Sequence, residues 1–238
     1  ISGSLHLSGN SLSIITSHCK LLTHLIAKHC DLGTLSLENS NCLRVLCLSN
    51  NPSMGAHYMQ PQGLYPVLEY LDLSFTRVND QSVIQLAQNS PNLKVLVLNN
   101  CENINGTSFH LYPQRFSKLF SIDLSYSNII DEGFQWLGQL PSLKYIDISW
   151  CKKLSSDAIY NFVHVCLEKD ILKEFWFIGS ALDGDTFEVL DQFSNLIPVD
   201  PSSCRNIHRS QRFQAREKEI PKRGGFLYPP PKMGETIS

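Results

Sequence analysis

Eight cysteines and eight histidines are the side chains in this sequence best able to bind a metal, form disulfides or act as nucleophile and base. Cys19, Cys30, Cys42, Cys47, Cys101, Cys151, Cys166 and Cys204 form no C-x-x-C pair and show none of the spacing of a secreted disulfide framework. The histidines are scattered, and no H-E-x-x-H, G-x-S-x-G or P-loop spacing accompanies them. A catalytic centre needs nucleophile, base and orienting group to converge, so the expectation is a protein that is not an enzyme, with no metal and no cofactor. Unpaired thiols at such spacings also point to a reducing, intracellular setting, cytoplasm or nucleus. Asn105-Gly106-Thr107 matches a glycosylation acceptor, a single match that weighs little against the cysteines.

Charge gives no support to nucleic-acid or anionic-membrane binding. Twenty Lys and Arg against twenty-two Asp and Glu leave a net charge of -2, so nothing draws the whole chain to nucleic acid or to an anionic membrane. The lone Arg223-Gly224-Gly225-Phe226 is too little for an RNA-binding tract. No run of eighteen apolar residues provides a membrane span. Ile1 stands where an initiator Met would, which implies a longer polypeptide upstream.

What remains is a set of aromatic and acidic side chains at a fixed interval, and the interval comes from a repeat. The pattern L-x-x-L-x-L recurs at Leu43-Leu46-Leu48, Leu68-Leu71-Leu73, Leu93-Leu96-Leu98, Leu119-Ile122-Leu124 and Leu143-Ile146-Ile148, then as Leu172-Phe175-Phe177. Successive steps of 25, 25, 26, 24 and 29 residues fall in the range of leucine-rich repeats. Alternation within each L-x-L makes a strand with one buried face. Three places further on, Asn51, Thr76, Cys101, Ser127 and Cys151 are expected to turn inward and bond backbone groups freed at the bend.

Helical period follows in several units. Val83, Leu86 and Ala87 share a face behind Asp80 as candidate cap; Phe134, Leu137 and Leu140 follow Asp131; Ile159, Phe162, Val163 and Cys166 follow Ser155; Phe187, Leu190 and Phe193 follow Asp185. The expected fold is α/β, a right-handed leucine-rich-repeat solenoid (horseshoe) with a concave parallel sheet and outer helices. Towards the start the register is less even. Leu5-x-Leu7-x-x-Asn10 reads as the end of one strand unit, and a strand is centred on either Leu25 or Leu35, which lie too close for both. Residues 1–197 form the solenoid, and 198–238 a different, extended segment. The latter holds six of the twelve prolines and eight Lys and Arg against four Asp and Glu, with Tyr228-Pro229-Pro230-Pro231 suited to polyproline II.

Strands followed by Cys, as in Leu98-Asn99-Asn100-Cys101 and Ile148-Ser149-Trp150-Cys151, resemble the cysteine-containing leucine-rich repeats of F-box proteins, substrate receptors of cullin-RING ubiquitin ligases. The resemblance covers roughly residues 43–197, and the chain contains no F-box. It implies protein partners, a substrate-binding role and ligase components recruited through an upstream segment. A structural subunit of a large intracellular assembly, with the basic segment as a strap, is the alternative. By alternation the concave face should present Tyr70, Asp72, Asp123, Tyr145, Asp147 and Trp176, with Phe75, Tyr126 and Trp150 at the strand ends. Aromatic anchors among charges suit protein recognition. Arg205, Arg209, Arg212, Arg216 and Tyr228 are the matching contacts expected from the C-terminal segment.

Overall fold

The computed structural model describes residues 8–30, 32–33, 35–37, 40–55, 64–197 and 204. Seven three-residue strands pair in chain order, all parallel: β1 (His24–Ile26), β2 (Val45–Cys47), β3 (Tyr70–Asp72), β4 (Val95–Val97), β5 (Ser121–Asp123), β6 (Tyr145–Asp147) and β7 (Glu174–Trp176). The central residues Leu25, Leu46, Leu71, Leu96, Ile122, Ile146 and Phe175 stand in one register and all face the main core. Leu25 is therefore the strand centre and Leu35 is not: Leu35 and Leu37 pack in the core from outside the sheet.

Each strand ends in the same turn. Two residues past the last core residue of the strand unit the backbone enters the left-handed region, at His29, Asn50, Phe75, Asn100, Tyr126, Trp150 and Gly179 (φ +54 to +69°). One residue later comes the inward ladder residue. The Asn51 amide donates to Ala27 O at 2.9 Å and Leu48 O at 2.7 Å, and its oxygen accepts from Cys30 N at 2.9 Å. Cys101 and Cys151 donate Sγ–H to Leu73 O and Leu124 O, both at 3.1 Å. A buried carbonyl left without a donor would cost about 1–3 kcal/mol, which is why this position takes residues that can donate.

Helices cover the other face of the sheet from the third strand onward: α2 (Asp80–Asn89), α3 (Tyr112–Arg115) behind a 3₁₀ turn, α4 (Asp131–Phe134) running into another, α5 (Ser156–Lys169) and α6 (Gly184–Leu190). Asp80 is not the cap expected for α2. Asn79 caps it, accepting from Ser82 N at 3.0 Å, while the Asp80 carboxylate reaches the next repeat and accepts from Asn105 N, Gly106 N and Thr107 Oγ1 at 3.0–3.2 Å. Asp131 likewise accepts from Ser155 N at 2.9 Å and Ser155 Oγ at 2.6 Å. These aspartates tie one repeat to the next. Leu5 and Leu7, read as the end of a strand unit, lie outside the described residues; α1 (Gly9–His18) comes after them, capped by Ser8, with Asn10 exposed in its first turn. Its Ser-rich, β-branched composition hides the helix from a propensity reading.

The register continues past β7 at two described positions. Ile197 N donates to Lys173 O at 2.8 Å, as Lys173 N does to Lys144 O and Lys144 N to Phe120 O. Cys204 is fully buried in the main core with its Sγ 3.4 Å from Phe177 O, repeating the contacts of Cys101 and Cys151 one unit further on. Other than Cys204, the segment 198–238 lies outside the described residues.

Candidate protein-recognition surface

The left-handed residues form a row along the edge where the strands end. Rung-to-rung bonds hold them: Asn50 N to Ser74 O at 2.8 Å, Phe75 N to Asn99 O at 2.9 Å, Asn100 N to Ser125 O at 2.8 Å, Tyr126 N to Ser149 O at 2.9 Å and Trp150 N to Ile178 O at 2.7 Å. The conformation is thus fixed by the repeat, whatever side chain stands there. Asn and Gly suit it, whereas a large aromatic in left-handed backbone is an outlier costing on the order of 1–2 kcal/mol. Phe75, Tyr126 and Trp150 accept that cost and remain accessible, Phe75 at 41% and Tyr126 at 47% exposure, with Trp150 half-buried. Tyr126 and Trp150 stack with centroids 5.9 Å apart and planes 22° from parallel. Gly179 makes room for the indole: a Cβ there would lie 2.5 Å from the Trp150 ring.

The strand positions behave differently from expectation. Asp72, Asp123 and Asp147 are 1%, 2% and 0% exposed and do not stand in solvent as an acidic row. Each carboxylate curls back to the serine two residues on. Asp72 accepts from Ser74 N and Oγ at 3.0 and 2.6 Å, Asp123 from Ser125 N and Oγ at 2.9 and 2.5 Å, and Asp147 from Ser149 N at 2.7 Å. Three-residue strands explain this, because Asp is the last strand residue and sits where the turn's N–H groups need an acceptor. Asp72 also accepts from Cys47 Sγ at 3.0 Å, and Lys28 Nζ lies 3.9 Å away.

Tyr70 is buried as well, in a second apolar cluster with Val45, Val95, Val97 and Phe120, against which half-buried Tyr145 packs. That cluster contains no helical residue and lies on the sheet face turned away from the helices. Burial, then the neighbouring Asp72, Cys47 and Asp123, push the Tyr70 hydroxyl far above the ordinary phenol range. Trp176 is half-buried, its Nε1 donating to Glu174 at 3.1 Å. Of the nine residues expected on this surface, the rim trio Phe75, Tyr126 and Trp150 come together with accessible ring area. Tyr145 and Trp176 are partly accessible, and Tyr70 and the three aspartates are enclosed.

Sequence reasoning missed the rest of the row: His29, Asn50, Asn100 and Gly179. Its signal was present, since each stands immediately before a ladder residue. Beside the row, His29, Asn50, Phe75, Asn100 and Arg77 border a cleft of about 540 Å³.

Burial holds four of the thiols in the protonated form. All eight cysteines are unbridged, and burial pushes the thiols of Cys101, Cys151 and Cys166 up to about 12 and that of Cys47, with Asp72 beside it, up to about 11. Among the described residues no three His, Cys, Asp or Glu converge as metal ligands, and no helix is long and apolar enough to cross a membrane. Arg205, Arg209, Arg212, Arg216 and Tyr228 lie outside the described residues.

No protein-family model matches the chain. Among solved structures, an internalin from Listeria monocytogenes, a leucine-rich-repeat protein, superposes with a TM-score of 0.53. The match covers 86% of this chain and 67% of the internalin at 16% identity. The fold is a leucine-rich-repeat solenoid. At that identity the likeness speaks for the fold alone.

Proposed function

We propose that this solenoid is a non-catalytic protein-recognition module whose partner docks on the strand-end rim and the adjoining concave face. The observation that carries this reading is the exposure of Phe75 and Tyr126, with half-buried Trp150 beside them, in left-handed backbone, where Asn or Gly would be less strained. Strain of this kind persists where the side chain has a use, and exposed aromatic anchors supply most of the energy in protein interfaces.

The basic segment is part of the same reading. In it a basic extended segment takes the concave face, either Arg205 to Arg216 of this chain, through Arg205, Arg209, Arg212 and Arg216, or an equivalent stretch of a partner. Buried Cys204 supports this by starting the segment beside β7. The enclosure of Val45, Tyr70, Val95 and Val97 on a face without helices supports it too. The true ligand then displaces or extends this segment.

At a finer level, the Cys-bearing repeats favour the substrate-binding part of a cullin-RING ubiquitin ligase receptor, acting inside the cell with adaptor and cullin held by an upstream segment. Affinity purification of the full-length protein should return adaptor and cullin together with the bound partner, and blocking the cullin should raise that partner's abundance. A fixed set of stoichiometric subunits without ligase components would instead favour a structural subunit of a large assembly.

A further inference from the structure

The sequence contains one Asn-Gly pair, Asn105-Gly106. Such a pair is prone to close on itself, because glycine has no Cβ to keep its backbone nitrogen away from the preceding side chain. The nitrogen attacks the asparagine Cγ and gives up its proton to solvent, a C–N bond forms, ammonia leaves, and a five-membered succinimide results. Water then opens the ring at either carbonyl to give aspartate or isoaspartate. Nothing is oxidised or reduced, and water is the one co-reactant.

The fold restrains the nucleophile and leaves the rest of the reaction free. Gly106 N donates to Asp80 Oδ1 at 3.0 Å, while Asp80 Oδ2 accepts from Asn105 N and Thr107 Oγ1, both at 3.2 Å. One carboxylate thus grips the main chain on both sides of the Asn105 Cα. A succinimide nitrogen carries no hydrogen, so ring closure would leave Asp80, only 4% exposed, facing a group with nothing to donate. Unmade bonds to buried charged groups are the costliest kind. Gly106 is also unable to swing aside. It stands at φ +90° and packs so closely on Gly133 that a Cβ there would lie 2.5 Å from the Gly106 Cα. The Asn105 Oδ1 is pinned in turn by Thr107 N at 3.0 Å. By contrast Nδ2, the leaving group, has no hydrogen-bond partner among the described residues. Half-buried Asn105 borders a cleft of about 690 Å³ that admits water.

We infer that Asn105-Gly106 is a latent self-modification site that Asp80 holds closed, and that Asn105 converts to aspartate or isoaspartate once the joint between these two repeats loosens. The conversion is one-way. It places a carboxylate beside buried Asp80, and two like charges there oppose remaking of the tie. Isoaspartate further adds an atom to the main chain next to the contact of Gly106 with Gly133. The site is independent of the aromatic rim and its partners.

Incubation at pH 8 tests it, with Asn105 followed by fragment-ion mass spectrometry that separates asparagine, aspartate and isoaspartate. The native chain should convert about tenfold or more slowly than the same chain in urea, a barrier difference of about 1.4 kcal/mol. Asp80→Ala should remove most of that difference. Asp131→Ala, which unties the following joint at Ser155 instead, should keep the native rate. If Asp80→Ala fails to fold, Asp80→Asn, of the same shape and with one acceptor left, takes its place and should still convert faster than Asp131→Ala. Asn105→Asp, the product in normal linkage, should melt below wild type. Native conversion as fast as in urea, or equal acceleration by the Asp80 and Asp131 changes, overturns the inference. An Asn105→Asp chain as stable as wild type overturns its one-way character.

Discussion

The ladder residue shows how one side chain decides its own chemistry. Cys101 and Cys151 are nucleophiles by type, yet each sits in the core donating to a carbonyl of the preceding repeat, with its thiol pushed up to about 12 by burial. A thiol that far above neutral pH is protonated and inert. Alkylation of the native protein with iodoacetamide at pH 8 should therefore modify exposed Cys19 and spare Cys101, Cys151 and Cys166 until the chain is unfolded; equal labelling of all four would contradict their placement. Asn51 carries more, with one amide serving two neighbouring repeats. Asn51→Ala leaves several buried backbone groups unsatisfied and should cost about 2–4 kcal/mol in urea unfolding, against a few tenths for an exposed change such as Gln88→Ala.

At the scale of elements, strand positions were legible because the L-x-x-L-x-L period places one apolar residue per rung, and Leu46, Leu71, Leu96, Ile122, Ile146 and Phe175 are the centres it indicated. The fate of the aspartates was not legible. Alternation says that Asp72, Asp123 and Asp147 point away from the core, but not that the strand stops there and curls. The missed signal is Asp-x-Ser, repeated at 72–74, 123–125 and 147–149, an acid placed to receive a serine N–H. One helix cap was misread for a related reason: Asp80 looks like the cap of α2, but its carboxylate, like that of Asp131, spans the gap to the following repeat, whereas Ser155 caps α5 as expected. Between those repeats the backbones meet at Gly106 and Gly133, where a Cβ on Gly133 would lie 2.5 Å from the Gly106 Cα. Gly133→Ala should force the repeats apart, costing about 1–3 kcal/mol and lowering the melting temperature by several degrees. Gly33→Ala, with nothing within 4 Å, is the control expected to change little.

Over the whole molecule, a repeat whose left-handed turns suit Asn or Gly carries Phe, Tyr and Trp at three of them and leaves two well exposed. Stability alone would not choose this, so the rim separates recognition from folding in a way that can be measured. Asn is the natural replacement, since Asn50 and Asn100 already fill the same conformation on adjacent rungs. Changing Phe75 and Tyr126 to Asn relieves strain, and the melting temperature of the double variant should stay level or rise. Its hold on partners should weaken. The decisive measurement is a side-by-side quantitative affinity purification of wild-type and F75N/Y126N protein, with the melting temperature of each recorded. The account predicts capture of the wild-type partner weakened at least tenfold, about 1.4 kcal/mol, in a variant no less stable. The same partner held with the same strength by both would contradict it and leave the aromatic rim without a role in recognition.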